Sequence, residues 1–195
     1  MAKRQKTNIH RPGRLRIVAG NWRSRLLDIA DVEGLRPTSE RIRETLFNWL
    51  APTIHGASCL DLCAGTGALG FEALSRGAKS AVFVEKSPLA ARKLRHNVRL
   101  LDAAGATVVQ TDAMDYLRTA DTGPFDIVFL DPPFAADIHS ELCRLLGRQD
   151  LLSPQGLVYI EQPRSQEPVA LPAGWQIIKN KTAGNVRYML VQRTD

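Results

Sequence analysis

The chain has 195 residues, 44% hydrophobic and 24% charged, with a formal net charge of +6, which is the composition of a globular domain that can bury a core without staples. No apolar run nears the ~20 residues of a membrane span. Three cysteines, Cys59, Cys63 and Cys143, form no CxxC pair, which argues against both a disulfide framework and a zinc site.

The charge is unevenly placed. The first 25 residues carry Lys3, Arg4, Lys6, Arg11, Arg14, Arg16, Arg23 and Arg25 and no acid, while the remainder holds 18 basic and 20 acidic residues. A basic block of this kind predicts a polyanionic partner; its bland alternative is a solvated tail. No secretory apolar segment follows it, and Pro12-Gly13 would break the amphipathic helix of a transit peptide, so the expected location is the cytoplasm.

In chain order, residues 1–13 are expected to lack regular structure. Arg14 to Ala19 and Arg23 to Ile29, around Gly20-Asn21, predict a small hairpin with arginines on one face. Thr38, after Pro37, is a candidate N-cap for a helix to Leu50, whose Ile42, Leu46, Trp49 and Leu50 share one face. Strand and helix then alternate: strands at Ser58–Leu62, Ala81–Glu85, Thr107–Gln110, Asp126–Leu130 and Gly156–Glu161, and helices at Gly67–Arg76, Pro88–Leu101, Ala113–Arg118 and Asp137–Leu146. A Pro-rich loop over 163–174 leads to strands Trp175–Asn180 and Val186–Gln192 around Ala183-Gly184-Asn185. Parallel βα units ending in an antiparallel hairpin predict a Rossmann-like α/β three-layer sandwich. The expected division is a basic arm and hairpin over 1–35 and a catalytic domain over 36–195.

Leu60-Asp61-Leu62-Cys63-Ala64-Gly65-Thr66-Gly67-Ala68-Leu69-Gly70 joins the first parallel strand to its helix, where open α/β sheets bind ligands. Gly65-Thr66-Gly67-Ala68-Leu69-Gly70 is a literal G-x-G-x-x-G, with Glu85 twenty residues on, which also fits a dinucleotide site. No Gly-Lys-Ser/Thr follows, so the loop is not a P-loop. Asp61 separates the surviving readings. Its carboxylate would repel a pyrophosphate and suits the sulfonium and ammonium of S-adenosylmethionine; its alternative role is to cap the turn. Gly65 and Gly67 let the backbone approach such a ligand. Glu85 is placed to accept from ribose hydroxyls. Asp112 is placed to accept from the adenine amino group, with the Ala113 N–H at a ring nitrogen, and Asp112 also suits an N-cap.

Asp131-Pro132-Pro133-Phe134 follows the apolar strand Ile127-Val128-Phe129-Leu130. The prolines end the strand and leave carbonyls free. A base amino group is a poor nucleophile because its lone pair is delocalised into the ring. The Asp131 carboxylate and Pro132 carbonyl can accept its two N–H bonds and aim the lone pair, and Phe134 offers a stacking face. The target base must be unpaired or flipped.

Arg36-Pro37-Thr38, Arg43-Glu44-Thr45-Leu46-Phe47-Asn48, the Asp61 to Gly70 run and Asp131-Pro132-Pro133-Phe134 together resemble the bacterial 16S ribosomal RNA guanine-N2 methyltransferase D family, from about Arg14 to the C-terminal hairpin. The first block is specific to that family; the other two are shared with many amino-methyltransferases. The resemblance implies methylation of one guanine N2 in small-subunit rRNA, in an assembled or assembling 30S particle. The expected state of the enzyme is a monomer. It places the Arg36 block near the cofactor or base pocket. Residues Arg14, Arg16, Arg23, Arg25 and Arg36 are the expected RNA contacts. The residues assign Arg43 and Glu44 no role; the bland alternative is an intrahelical surface pair. Three rival functions remain: an adenine-N6 or cytosine-N4 methyltransferase, a nucleotide-binding module or dehydrogenase, and a non-catalytic RNA-binding assembly factor.

Overall fold

The computed structural model describes residues 13–32, 38–133, 138–148 and 151–194. A two-stranded antiparallel ribbon, β1 (Arg14–Arg16) and β2 (Leu26–Asp28), precedes helix α1 (Glu40–Leu50). Then come β3 (Ser58–Asp61), α2 (Ala68–Ser75), β4 (Ser80–Val84), α3 (Pro88–Leu101), β5 (Ala106–Val109), α4 (Ala113–Thr119), β6 (Phe125–Leu130), α5 (His139–Arg148), β7 (Leu152–Pro163), β8 (Trp175–Ala183) and β9 (Val186–Arg193).

The last seven strands form one sheet in the order β5-β4-β3-β6-β7-β9-β8. β5 to β7 run parallel, and β9 is antiparallel to both β7 and β8. β3 has β4 on one side and β6 on the other, so the chain order reverses there. A crevice opens outside the carboxyl ends of strands at such a switch point.

Alternation along the central strands feeds two cores. Cys59, Ile127, Phe129, Leu157 and Tyr159 face one side with Leu46 and Phe47 of α1 and Phe71 of α2. Leu60, Val128, Leu130, Val158 and Ile160 face the other with Leu142 and Leu146 of α5. Burial on both faces explains the nearly continuous apolar strands.

The ribbon belongs to the first core through Leu15, Ile17 and Leu27. β1 and β2 are shorter than the predicted strands because residues 17–25 form a turn docked on α2. Asn21 N–H donates to the Ser75 carbonyl (2.7 Å), Trp22 N–H to Ser75 Oγ (2.9 Å), and Ser75 Oγ–H to the Ala19 carbonyl (2.6 Å). Gly20 has φ +82° there, and a Cβ on it would lie 1.9 Å from the Ser75 oxygen. Arg14 and Arg16 project from the outer side of β1, while Arg23 and Arg25 lie in the turn rather than on a strand. All four are exposed. Among the described residues no helix is long and apolar enough to cross a membrane.

Candidate active site

The cofactor half begins at the end of β3. Asp61 is buried, and its Oδ2 accepts the Gly70 N–H at 3.0 Å. The carboxylate therefore braces the first turn of α2, whose N-cap Gly67 has φ +78° and no side chain to offer. A Cβ on Gly67 would lie 2.6 Å from side-chain atoms of both Phe71 and Leu94, so a side chain there would crowd its neighbours as well as strain the left-handed backbone. The loop is pinned to both neighbouring strands, by Leu62 N–H to the Phe129 carbonyl (3.1 Å) and Ala64 N–H to the Val84 carbonyl (2.9 Å).

Burial pushes the Asp61 carboxyl up to about 7, with the negative Glu85 adding to the rise and the Gly70 N–H opposing it. Glu85 follows β4. Its Oε2 accepts the Gly65 N–H at 2.8 Å and its Oε1 the Ser87 N–H at 2.6 Å, so it ties the glycine loop to the start of α3. Asp112 caps α4 through Oδ1 to the Met114 N–H (2.9 Å) and meets Lys86 Nζ through Oδ2 (3.1 Å). The Lys86 ammonium holds this half-buried carboxyl below its ordinary value. Ala113 opens α4.

Three acids thus stand at the carboxyl ends of adjacent parallel strands around a glycine loop. This set of acceptors fits a ligand with a cationic amino-acid end, ribose hydroxyls and an adenine amino group. An acceptor already holding one N–H keeps a lone pair for a second donor.

The catalytic half lies across the switch point. Asp131 and Pro132 directly follow β6; Pro132 is buried and Pro133 exposed. Thr38 Oγ1 donates to Asp131 Oδ2 at 3.1 Å. This corrects the predicted cap: Ser39, not Thr38, is the N-cap of α1, accepting the Ile42 N–H at 3.3 Å. The Thr38 hydroxyl is turned toward the motif instead. Burial pushes the Asp131 carboxyl well above the usual carboxylate range, Glu161 raises it further by like charge, and the Thr38 donor pulls it down. Phe134 and Arg36 lie outside the described residues, as do Lys3, Arg4, Lys6 and Arg11.

For Arg43 the bland alternative fails. The residue is not a surface partner of Glu44 but is 1% exposed, while Glu44 is exposed. Its guanidinium donates to the Thr38 carbonyl (3.2 Å), to Glu72 Oε2 (3.1 Å) and to the Arg16 carbonyl (2.9 Å). Glu72, equally buried on α2, also accepts the Val18 and Ala19 N–H groups (2.9 and 3.0 Å) and Arg76 Nε (2.8 Å). One buried network therefore joins the ribbon, α1, α2 and the residue that holds Asp131. Spacing along the chain carries no sign of it, because its members are brought together only by the packing of three elements.

Glu161 is, in sequence, only the end of a strand. In the fold it is 6% exposed, takes the Tyr159 hydroxyl on Oε2 (2.7 Å), and its carbonyl faces His139 Nε2 (2.8 Å). The carbonyl can only accept, so that ring nitrogen carries the hydrogen. An acid closing an otherwise apolar strand at the sheet's carboxyl edge is the signal that points to it.

Comparison with known proteins agrees with this geometry. Residues 15–192 match the family model described as "Conserved hypothetical protein 95". The chain is 44% identical over 183 residues to the Ribosomal RNA small subunit methyltransferase D of Haemophilus influenzae, covering 92% of this chain and 94% of that protein. It is 44% identical over 189 residues to the protein of that name from Escherichia coli K12, covering 97% and 95%. The solved structure of Escherichia coli yhhF superposes with a TM-score of 0.87 at 41% identity, over 94% of this chain and 99% of that one. With the family model spanning nearly the whole chain and these relatives aligned end to end, the chain belongs to the Ribosomal RNA small subunit methyltransferase D family.

Proposed function

We propose that this S-adenosylmethionine-dependent rRNA methyltransferase modifies the exocyclic N2 of one guanine in 16S rRNA, acting as a monomer on the small subunit or its assembly intermediate. The observation that carries the reading is Asp131, set beside Pro132 at the end of β6, held by Thr38 and facing the acidic glycine loop across the switch point.

S-adenosylmethionine, when bound, supplies a methyl group made electrophilic by its sulfonium. Asp61 gives that end of the ligand a negative wall, while Gly65 and Gly67 shape the loop around it. Glu85 accepts from the ribose hydroxyls, and Asp112 with the Ala113 N–H frames the adenine. Asp131 and the Pro132 carbonyl accept the two amino hydrogens of the target base and turn its lone pair out of the ring plane. The nitrogen's lone pair would form the new N–CH3 bond as the S–CH3 bond breaks, its electron pair staying on sulfur as a neutral thioether; the methylated nitrogen then loses one proton, which Asp131 accepts. Phe134 stacks on the base. Orientation supplies much of the rate, since a well-placed pair reacts as though at very high concentration. Arg14, Arg16, Arg23, Arg25 and Arg36 meet phosphates. The place of action would be the cytoplasm.

The test supplies labelled S-adenosylmethionine with small subunits, naked rRNA or DNA, followed by identification of the modified nucleoside. N2-methylguanosine from rRNA is expected. A labelled N6-methyladenine or N4-methylcytosine, or label in DNA alone, would replace this reading with its rivals. RNA binding without transfer would leave an assembly factor.

A further inference from the structure

Glu161 has no work in the reaction as described. Leu130 and Ile160 are register partners on adjacent parallel strands, so Asp131 and Glu161 stand next to each other at the sheet's carboxyl edge. Leu130 and Ile160 face the α5 side, whereas Phe129 and Tyr159 face the α1 side. Alternation returns residues 131 and 161 to the α1 side, where Thr38 meets Asp131.

Glu161 is held from several directions. Tyr159 donates to Oε2, His139 of α5 fixes its main chain, and Tyr188 is its register partner on β9. Among the described residues no cation pairs with it, and its Oε1 takes no hydrogen bond. Oε1 is not sealed in, since among the described residues the buried side-chain polar atom without a partner is Asn97 Oδ1; it is an open acceptor on an otherwise buried side chain, and a second carboxylate beside it repels its charge. The arrangement becomes favourable when a ligand arrives with several N–H donors in a row.

Among the amino-bearing bases, guanine brings that row. Its N1–H lies beside its 2-amino group. Adenine N1 and cytosine N3, next to their amino groups, are acceptors and would face a carboxylate with a lone pair. We propose that Glu161 is the specificity-determining residue of the site: its Oε1 accepts the guanine N1–H while Asp131 and the Pro132 carbonyl take the amino hydrogens. This inference rests on the guanine-N2 reading above and names the residue that enforces it.

The experiment compares guanine with 2,6-diaminopurine at the mapped target nucleotide of 16S rRNA assembled into small subunits. Diaminopurine keeps the 2-amino nucleophile and replaces N1–H with an acceptor. For the wild-type protein, kcat/KM should favour guanine by ~100-fold or more, because a site built to hold an N–H rejects the analogue lacking it. Glu161→Gln, whose amide can donate to an acceptor N1, should lower that ratio about tenfold or more. S-adenosylmethionine affinity should be unchanged. Any disturbance of the particle by diaminopurine acts on both proteins and cancels in the comparison. Wild-type protein that uses both bases alike overturns the proposal, as does a folded Glu161→Gln protein that loses rate but keeps the wild-type ratio. Should Glu161→Gln fail to fold, Tyr159→Phe frees the carboxylate from its holder and should lower the ratio several-fold; an unchanged ratio there overturns it as well. A wild-type product other than N2-methylguanosine is recognised beforehand and overturns the underlying reading together with this one.

Discussion

Thr38 and Asp131 are 93 residues apart in sequence and meet through one hydrogen bond of 3.1 Å. Its direction matters, because the hydroxyl donates and so favours the ionised carboxylate. Asp131 must be ionised to accept an amino hydrogen and later its proton. Burial raises the carboxyl well above its usual range, so turnover should climb with pH through that raised value and then level off. Thr38→Val removes the donor, and the rising limb should move to higher pH, with a loss of turnover of about tenfold below it. A pH profile of kcat on small subunits tests this. An unmoved limb would leave Thr38 with a packing role only.

Asp131→Ala should lose turnover by ~100-fold or more, by analogy with deleting one preorganised polar partner at a reacting centre. It should bind S-adenosylmethionine nearly as tightly as the wild type, since Asp131 lies across the switch point from the cofactor loop. Single-turnover rates and calorimetry on the same preparation separate the two effects. Full activity in this variant would refute the amino-group mechanism.

Asp61 ties folding and binding to pH. Its carboxyl sits at about 7 in the folded chain, against about 3.9 unfolded. Between those values the folded state holds a proton that the unfolded state has lost, so this group makes stability fall as pH rises from about 4 to about 7, and its effect is constant above. A cationic ligand favours the ionised form. S-adenosylmethionine affinity should therefore rise through pH 7, with proton release measurable by calorimetry in buffers of different ionisation heat. Asp61→Asn should bind the cofactor more weakly and lose the pH dependence of affinity, and the fall in thermal stability between about pH 4 and pH 7 should become shallower, with the raised Asp131 and Glu161 carboxyls supplying what remains. Wild-type binding that does not vary with pH would count against the role.

Much of this architecture is legible along the chain. α3 runs from Pro88 to Leu101 as predicted because Ser87 and Pro88 make an unambiguous start. The switch-point strands announce themselves by apolar runs ending in Asp61 and Asp131. Other features are hidden by tertiary choices. β7 begins at Leu152 rather than Gly156, and crosses Pro154 and a left-handed Gln155 at φ +59°, beside a register break between Phe125 and Ile127. Thr38 and Ser39 are both good caps, and only the presence of Asp131 decides which hydroxyl turns inward. Arg43 has the spacing of a surface residue on an amphipathic helix; a buried Glu72 from another helix draws it into the core.

Arg43→Met should be costly. It takes one of two guanidinium partners from the buried Glu72 carboxylate, which keeps Arg76 and two backbone N–H donors, so the loss should stay below the about 3–5 kcal/mol typical of a fully stranded buried charge. Adding Glu72→Gln should recover part of that loss, so the double variant should fall short of the summed single effects. Urea unfolding of the three proteins tests the coupling. Strict additivity would mean that the two side chains do not act as a pair.

The basic ribbon is part of the folded core as well as a candidate RNA surface. Deleting residues 1–25 would remove Leu15 and Ile17 from the core and two N–H donors from Glu72, so an inactive truncation would report damage to the fold rather than a role in RNA binding. Side-chain replacement is the cleaner experiment. Arg14 and Arg16 lie near Asp28 and Glu40 at 3.6 and 3.8 Å, and Arg25 donates to the Leu100 carbonyl at 3.3 Å. These exposed interactions contribute little to stability, so Arg→Gln at positions 14, 16, 23 and 25 should leave the fold and cofactor affinity intact. If the four side chains meet phosphates, affinity for small subunits should fall, and the slope of log affinity against log salt should become shallower by about 0.7–0.9 for each phosphate no longer neutralised. Base selection should not change, because phosphate contacts position the enzyme without reading sequence. The guanine-to-diaminopurine ratio of the quadruple variant should therefore match the wild type. Unaltered affinity and salt slope in the folded quadruple variant would show that the ribbon only packs on the core.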